Sequence, residues 1–82
     1  MDRGHLSHRD WLLERIRQAD DRVVEGERYI ARQREIIGKI EIGGGDASAA
    51  RKLLASYEAH QDLRVADRDR LFAELAISRP TG

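Results

Sequence analysis

Gly43-Gly44-Gly45-Asp46 interrupts, near its midpoint, an 82-residue chain that otherwise carries the residues of long helices. Glycine tolerates the positive φ that ends a helix, and aspartate is a preferred N-cap for the next one. The run therefore predicts a corner between two helices, and the rest of the chain can be read outward from it in both directions.

Toward the N-terminus, no proline appears from Ser7 to the corner, and the only glycines there are Gly26 and Gly38. Leu6-Ser7-His8-Arg9-Asp10-Trp11 has the form of a helix start. Ser7 is placed to cap, Asp10 sits at the third helical position, and Leu6 can staple onto Trp11. The expected first helix covers residues 8–42. Its buried stripe alternates three and four residues through Leu12, Ile16, Ala19, Val23, Gly26, Ile30, Gln33, Ile37 and Ile40, a heptad seam. One alternate set is β-branched (Ile16, Val23, Ile30, Ile37) and the other is small or polar at its centre, so a second helix approaches most closely at Gly26.

Toward the C-terminus, the expected second helix covers residues 47–77 and stops at Ser78-Arg79-Pro80, because a residue preceding proline is pushed out of the helical region. Residues 1–6 and 78–82 are expected to be flexible. Ala50, Leu53, Leu54 and Tyr57 form one apolar cluster, and Leu71, Phe72 and Leu75 another. The middle, around His60, Gln61 and Arg64, is polar. A fold at Gly44 sets residue i roughly opposite residue 88 minus i. Phe72 then faces Ile16, Val65 faces Val23, Leu54 faces the Gln33 to Ile37 turn, and the Gln61 region faces Gly26. The expected fold is all-α: an antiparallel two-helix hairpin, coiled-coil-like, with a polar layer at its centre.

Composition limits what such a hairpin can be. Charged residues make up 37% of the chain and hydrophobic ones 40%, the mix of amphipathic helices with wet outer faces. Fifteen basic residues balance fifteen acidic ones, without a basic or acidic tail. That disfavours nucleic acid or an anionic membrane surface as partner. With no cysteine there is neither a disulfide framework nor a thiolate metal site, and a reducing, cytoplasmic setting fits. No stretch has the length and apolarity of a signal sequence or a membrane span.

Candidate chemistry is sparse. His5 and His8 lack further ligands to complete a metal shell. The acids nearest His60, Glu58 and Asp62, stand two residues away and so on other helical faces. Gly43-Gly44-Gly45 follows no strand and precedes no Lys-Ser or Lys-Thr, so the glycines read as a turn and not a nucleotide loop. Arg28, Arg32, Arg34 and Lys39 are interleaved with Glu25, Glu27, Glu35 and Glu41, as on a salt-bridged solvent face. No catalytic residue, cofactor or metal is expected, and the chain does not read as an enzyme.

Two helices leave much of each circumference uncovered, and chains of this size draw little stability from a single core. The expectation is a homodimer forming a four-helix bundle, held by Leu12, Ile16, Val23, Ile30, Ile37, Ile40, Leu54, Tyr57, Leu71, Phe72 and Leu75. The function read from this is a non-enzymatic helical protein–protein interaction module, with another helical protein as a further possible partner. The alternative is a small RNA-binding regulator built as a dimeric hairpin, with Arg28 and Arg32 touching RNA.

Gly26-Glu27-Arg28-Tyr29-Ile30-Ala31-Arg32-Gln33-Arg34-Glu35-Ile36-Ile37, followed by Gly45-Asp46, Leu53-Leu54, Tyr57-Glu58 and Asp67-Arg68-Asp69-Arg70-Leu71, resembles a group of short uncharacterised bacterial helical-hairpin proteins. The resemblance spans residues 20 to 75. It implies a bacterial, cytoplasmic hairpin and carries no catalytic or binding residues with it.

Overall fold

A computed structural model describes residues 7–77 of the chain, which form two α-helices, α1 (His8–Ile42) and α2 (Ser48–Ile77), packed antiparallel against each other. The expectations for Leu6, for the His5/His8 pair, for Ser78-Arg79-Pro80 and for flexible ends lie outside the described residues. The molecule measures 65 × 24 × 14 Å, and its shortest dimension is about that of a single helix with its side chains. Among the described residues there is consequently no second layer behind the seam.

The start of α1 is set by Ser7, whose extended backbone (φ −68°, ψ 159°) aims Oγ to accept from the Asp10 N–H at 3.0 Å. That satisfies one of the N–H groups a helix leaves unpaired at its start, and the Asp10 carboxylate sits where the helix dipole favours negative charge.

At the corner the three glycines have three different roles. Gly44 alone has positive φ, at 77°. Its N–H donates to Glu41 O (3.0 Å) and the Gly45 N–H donates back to Ile40 O (2.8 Å), the paired bonds of a Schellman ending. Gly45 lies so close to Ile40 that an added Cβ would come within 3.0 Å of its Cγ2. Gly43 keeps an ordinary φ of −77° and sits in open enough space to accept a side chain.

The second helix begins one residue later than the sequence predicts. Ala47 O accepts from the Arg51 N–H at 2.8 Å, so Ala47 holds the capping position in the backbone sense. Asp46 works from one residue earlier: its Oδ1 accepts from both the Ser48 N–H (2.9 Å) and the Ser48 hydroxyl (2.6 Å). These two bonds hold the Asp46 carboxyl below its ordinary range. Position 47 is buried against the seam, and alanine fits there where a capping carboxylate would be desolvated.

The dry part of the core lies at the end away from the corner, where Leu12, Ile16 and Ala19 meet Leu71, with Leu75 packed against them. Here the register departs by one residue from the sequence reading. Leu71 is 6% exposed and faces Ile16, whereas Phe72 is 48% exposed. From the capping Ala47 onward, the least exposed positions recur at alternating three and four residues along α2, through Tyr57, Gln61, Arg64 and Arg68 to Leu75. The Gly26–Gln61 contact aligns that stripe with the one on α1. Partners at the same height then have residue numbers adding to 87 instead of 88. One residue is 100° of helix, enough to turn Phe72 out and Leu71 in.

Candidate functional site

The seam changes character at its waist. Gly26 exists there for space: an added Cβ would overlap the Gln61 carboxamide, lying 2.8 Å from its Cδ, and would come within 3.2 Å of Arg64 Nη1. Gln61, 8% exposed, donates its amide to Val23 O at 2.8 Å. Gln33, 6% exposed, makes the reciprocal crossing and donates to Ala50 O at 2.9 Å. Each helix therefore sends one buried glutamine to a main-chain carbonyl of the other, two directional bonds that a slipped register would lose. Gln61 Oε1 is buried and accepts no hydrogen bond from any described residue. An unmet buried acceptor costs about 1 to 3 kcal/mol, so the waist trades stability for alignment.

The two edges of the seam differ. Residues that follow a seam position by one lie on one edge, and there cross-helix ion pairs close the hairpin: Glu41 with Arg51, Arg34 with Glu58 at 3.1 Å, and Asp20 with the head of Arg68, which reaches over from the seam, at 3.2 Å. The Asp20 carboxylate, bonded to Arg68, raises the guanidinium further above its ordinary value. Apart from Arg68, whose side chain is 25% exposed, these groups stand largely in solvent, so each pair is weak, yet all three favour the same register.

Residues that precede a seam position by one lie on the other edge, where no cross-helix ion pair forms among the described residues. Two recesses open there instead. One, of about 300 Å³, is lined by Arg22, Glu25, Gly26, Tyr29 and Arg64. The other, of about 160 Å³, is lined by Ala19, Arg22, Leu63, Arg64 and Asp67. Arg22 and Asp67 share the second recess without pairing; Asp67 bonds Arg70 on its own helix. Tyr29 stands over the first recess, its ring centroid 6.0 Å from that of Tyr57 and its hydroxyl donating to Glu25 at 3.2 Å. Exposed apolar side chains collect along this edge and beside it: Tyr29, Ile36, Leu53 and Leu63, the last 69% exposed.

Of the residues that the sequence assigns to assembly, Leu12, Ile16, Val23, Ile37 and Leu71 are buried in the seam. Ile30, Ile40, Leu54, Tyr57 and Leu75 are half-buried, and Phe72 is not in the seam. Arg64 and Arg68 also occupy seam positions, which an apolar stripe alone does not indicate. The three-four spacing that joins Tyr57, Gln61, Arg64, Arg68 and Leu71 was the available signal. Arg28 and Arg32 are exposed and form no ion pair among the described residues. His60 is exposed as well. Among the described residues no three His, Cys, Asp or Glu side chains gather as a metal site, and no helix is long and apolar enough to cross a membrane.

Compared with protein-family models, curated proteins and solved structures, the chain matches none.

Proposed function

We propose that the protein is a non-enzymatic helical interaction module that works as a homodimer, two hairpins joining into a four-helix bundle in the cytoplasm, with helical proteins as its class of further partner. The observation that supports this reading is the imbalance of apolar surface. Among the described residues seven hydrophobic ones are buried, three of the seven being small or valine (Ala19, Ala47 and Val23), and only Leu12 is fully enclosed. Ten large hydrophobic side chains of the described residues, among them Trp11, Tyr29, Ile36, Leu53 and Leu63, are 38% exposed or more. A single layer of two helices has nowhere of its own to put them, and a second hairpin is the usual cover for such a face.

Sedimentation equilibrium at micromolar concentration is the test. A dimer mass is expected, with helix content that falls on dilution as the chains separate. A compact, fully helical monomer over the whole range would overturn the proposal. RNA binding is examined in the same sample: retention of RNA that weakens steeply with salt and disappears on Arg28→Ala with Arg32→Ala would replace the interaction module by the RNA-binding reading.

A further inference from the structure

Arg64 holds an unusual position for a charged side chain. Of the arginines that make no ion pair among the described residues, it alone is half-buried, the others being exposed. Arg68, on the same stripe, is half-buried too, but has Asp20 to answer it. A guanidinium taken part of the way out of water without a counter-charge is disfavoured, and its N–H groups keep their demand for acceptors. The carboxylates that line the same recesses are engaged on their own helices, Glu25 by the Tyr29 hydroxyl and Asp67 by Arg70.

Arg22 completes the arrangement from α1. Facing partners have residue numbers that add to 87, so Arg22 stands almost level with Arg64, and both side chains line both recesses. Arg22 likewise has no ion-pair partner among the described residues. Two like charges that share a recess repel unless an anion lies between them. The floor beside them is Gly26. Gln61 Oε1 occupies the place where its Cβ would stand, and Arg64 Nη1 lies 3.2 Å from that same point. The negative end of the buried carboxamide therefore favours the guanidinium at the recess, yet makes no hydrogen bond that would use up its donors.

We propose that the recess over Gly26 is a binding site for a small oxyanion, a phosphate or carboxylate group gripped from both helices by Arg22 and Arg64, with the body of its ligand against Tyr29. The guanidinium fork matches the paired oxygens of either group. A space of about 300 Å³ suits a ligand of metabolite size. The opposite edge has no counterpart, because its arginines already pair across the hairpin at Glu41–Arg51, Arg34–Glu58 and Asp20–Arg68. Every group in the site belongs to one hairpin, so it is complete in a single chain and does not rest on the homodimer. An anion held there ties α1 to α2 at the waist.

The test is a titration of the isotope-labelled protein with inorganic phosphate, phenyl phosphate and benzoate, followed by amide resonances, with chloride holding the ionic strength constant. Saturable shifts centred on Gly26 and Tyr29 are expected, and whether the phosphates or benzoate produce them tells phosphate from carboxylate chemistry. Saturable binding of none of the three overturns the proposal. Phenyl phosphate is expected to bind more tightly than inorganic phosphate; the reverse order takes Tyr29 out of the site. Arg22→Gln changes an exposed residue, circular dichroism checks its helices, and affinity should fall about tenfold with the loss of charge-assisted hydrogen bonds. Arg15→Gln, at an unpaired arginine that lines neither recess, should leave affinity unchanged. Equal losses in these two variants, or shifts spread over the exposed arginines without saturation, mean an adventitious ion only and overturn the site. Glu25→Gln removes a carboxylate from the recess and should tighten binding; unchanged or weaker binding would place the anion elsewhere.

Discussion

From Leu12 to Ala19 the seam is closed by apolar side chains from both helices, whereas from Val23 to Gln33 a glycine, two glutamine amides and an arginine share it with Val23 and Ile30. The first stretch supplies adhesion with little directional preference, since apolar contact is indifferent to small shifts. The second supplies direction at some cost in stability, because its amides find their carbonyls at one alignment only and one amide oxygen is left without a donor. A short hairpin needs both, and this one keeps them in separate places along its length.

The comparison breaks most visibly at Leu12, the one fully enclosed large side chain among the described residues. Leu12→Ala should cost about 3 kcal/mol by removing buried volume at the dry end, read as a lowered urea midpoint at fixed protein concentration. A loss under about 1 kcal/mol would show that the dry end is not where the hairpin is held. Gln61→Met probes the waist with the opposite sign. It removes one cross-helix hydrogen bond and also the orphaned Oε1, so a gain of about 1 to 2 kcal/mol is expected, together with poorer dispersion of amide resonances as alignment loosens. Destabilisation by this change would mean that Gln61 Oε1 has a partner in solution.

Two glycines sharpen the same contrast. Gly38 has nothing within 4 Å of where a Cβ would stand, and Gly38→Ala should gain about 1 kcal/mol from helix propensity alone. Gly26→Ala has the same propensity term but displaces the Gln61 amide, so it should gain clearly less; equal gains would contradict the close approach at the waist. The smallest effect concerns acid. Bonds from the Ser48 hydroxyl and N–H depress the Asp46 carboxyl below its ordinary value of 3.8. A carboxylate with a folded-state value below its unfolded one contributes stability that is complete above the unfolded value and fades as pH falls through the folded one. Wild type should therefore lose more stability than Asp46→Asn between pH 5 and about pH 2, with matching stability curves counting against the cap.

Much of α1 was legible because its buried stripe and its apolar stripe nearly coincide, from Leu12 to Ile40. The corner was legible because positive φ and close approach demand glycine, although which glycine did which task required coordinates. The glycine waist was legible too, through Gly26 and the polar stretch of α2 facing it. Helix α2 was harder. Its apolar residues are scattered around the circumference, with Leu53, Leu63 and Phe72 outside the seam, while Gln61, Arg64 and Arg68 occupy seam positions. A pairing rule based on where leucines and phenylalanines fall cannot resolve one residue of register under those conditions. The deciding terms are a glutamine that needs a carbonyl and long arginine stems that lie along apolar surface while their heads reach solvent. The late start of α2 has a similar origin, since an aspartate two residues before a serine can bond its N–H and hydroxyl together.

The tight ending at Gly44 also bears on the order in which contacts form. Ile40 and Ala47 are separated by a handful of residues, so their meeting forfeits little chain freedom, whereas Leu12 and Leu75 close a loop of most of the molecule. Nucleation at the bend and propagation away from it is the cheapest route, yet the greasiest contacts wait at the far tips. Such a molecule is fastened at both extremities, by covalent continuity at one and by hydrocarbon at the other. Its amides near Gly26 are the ones that transient bowing would expose first to deuterium.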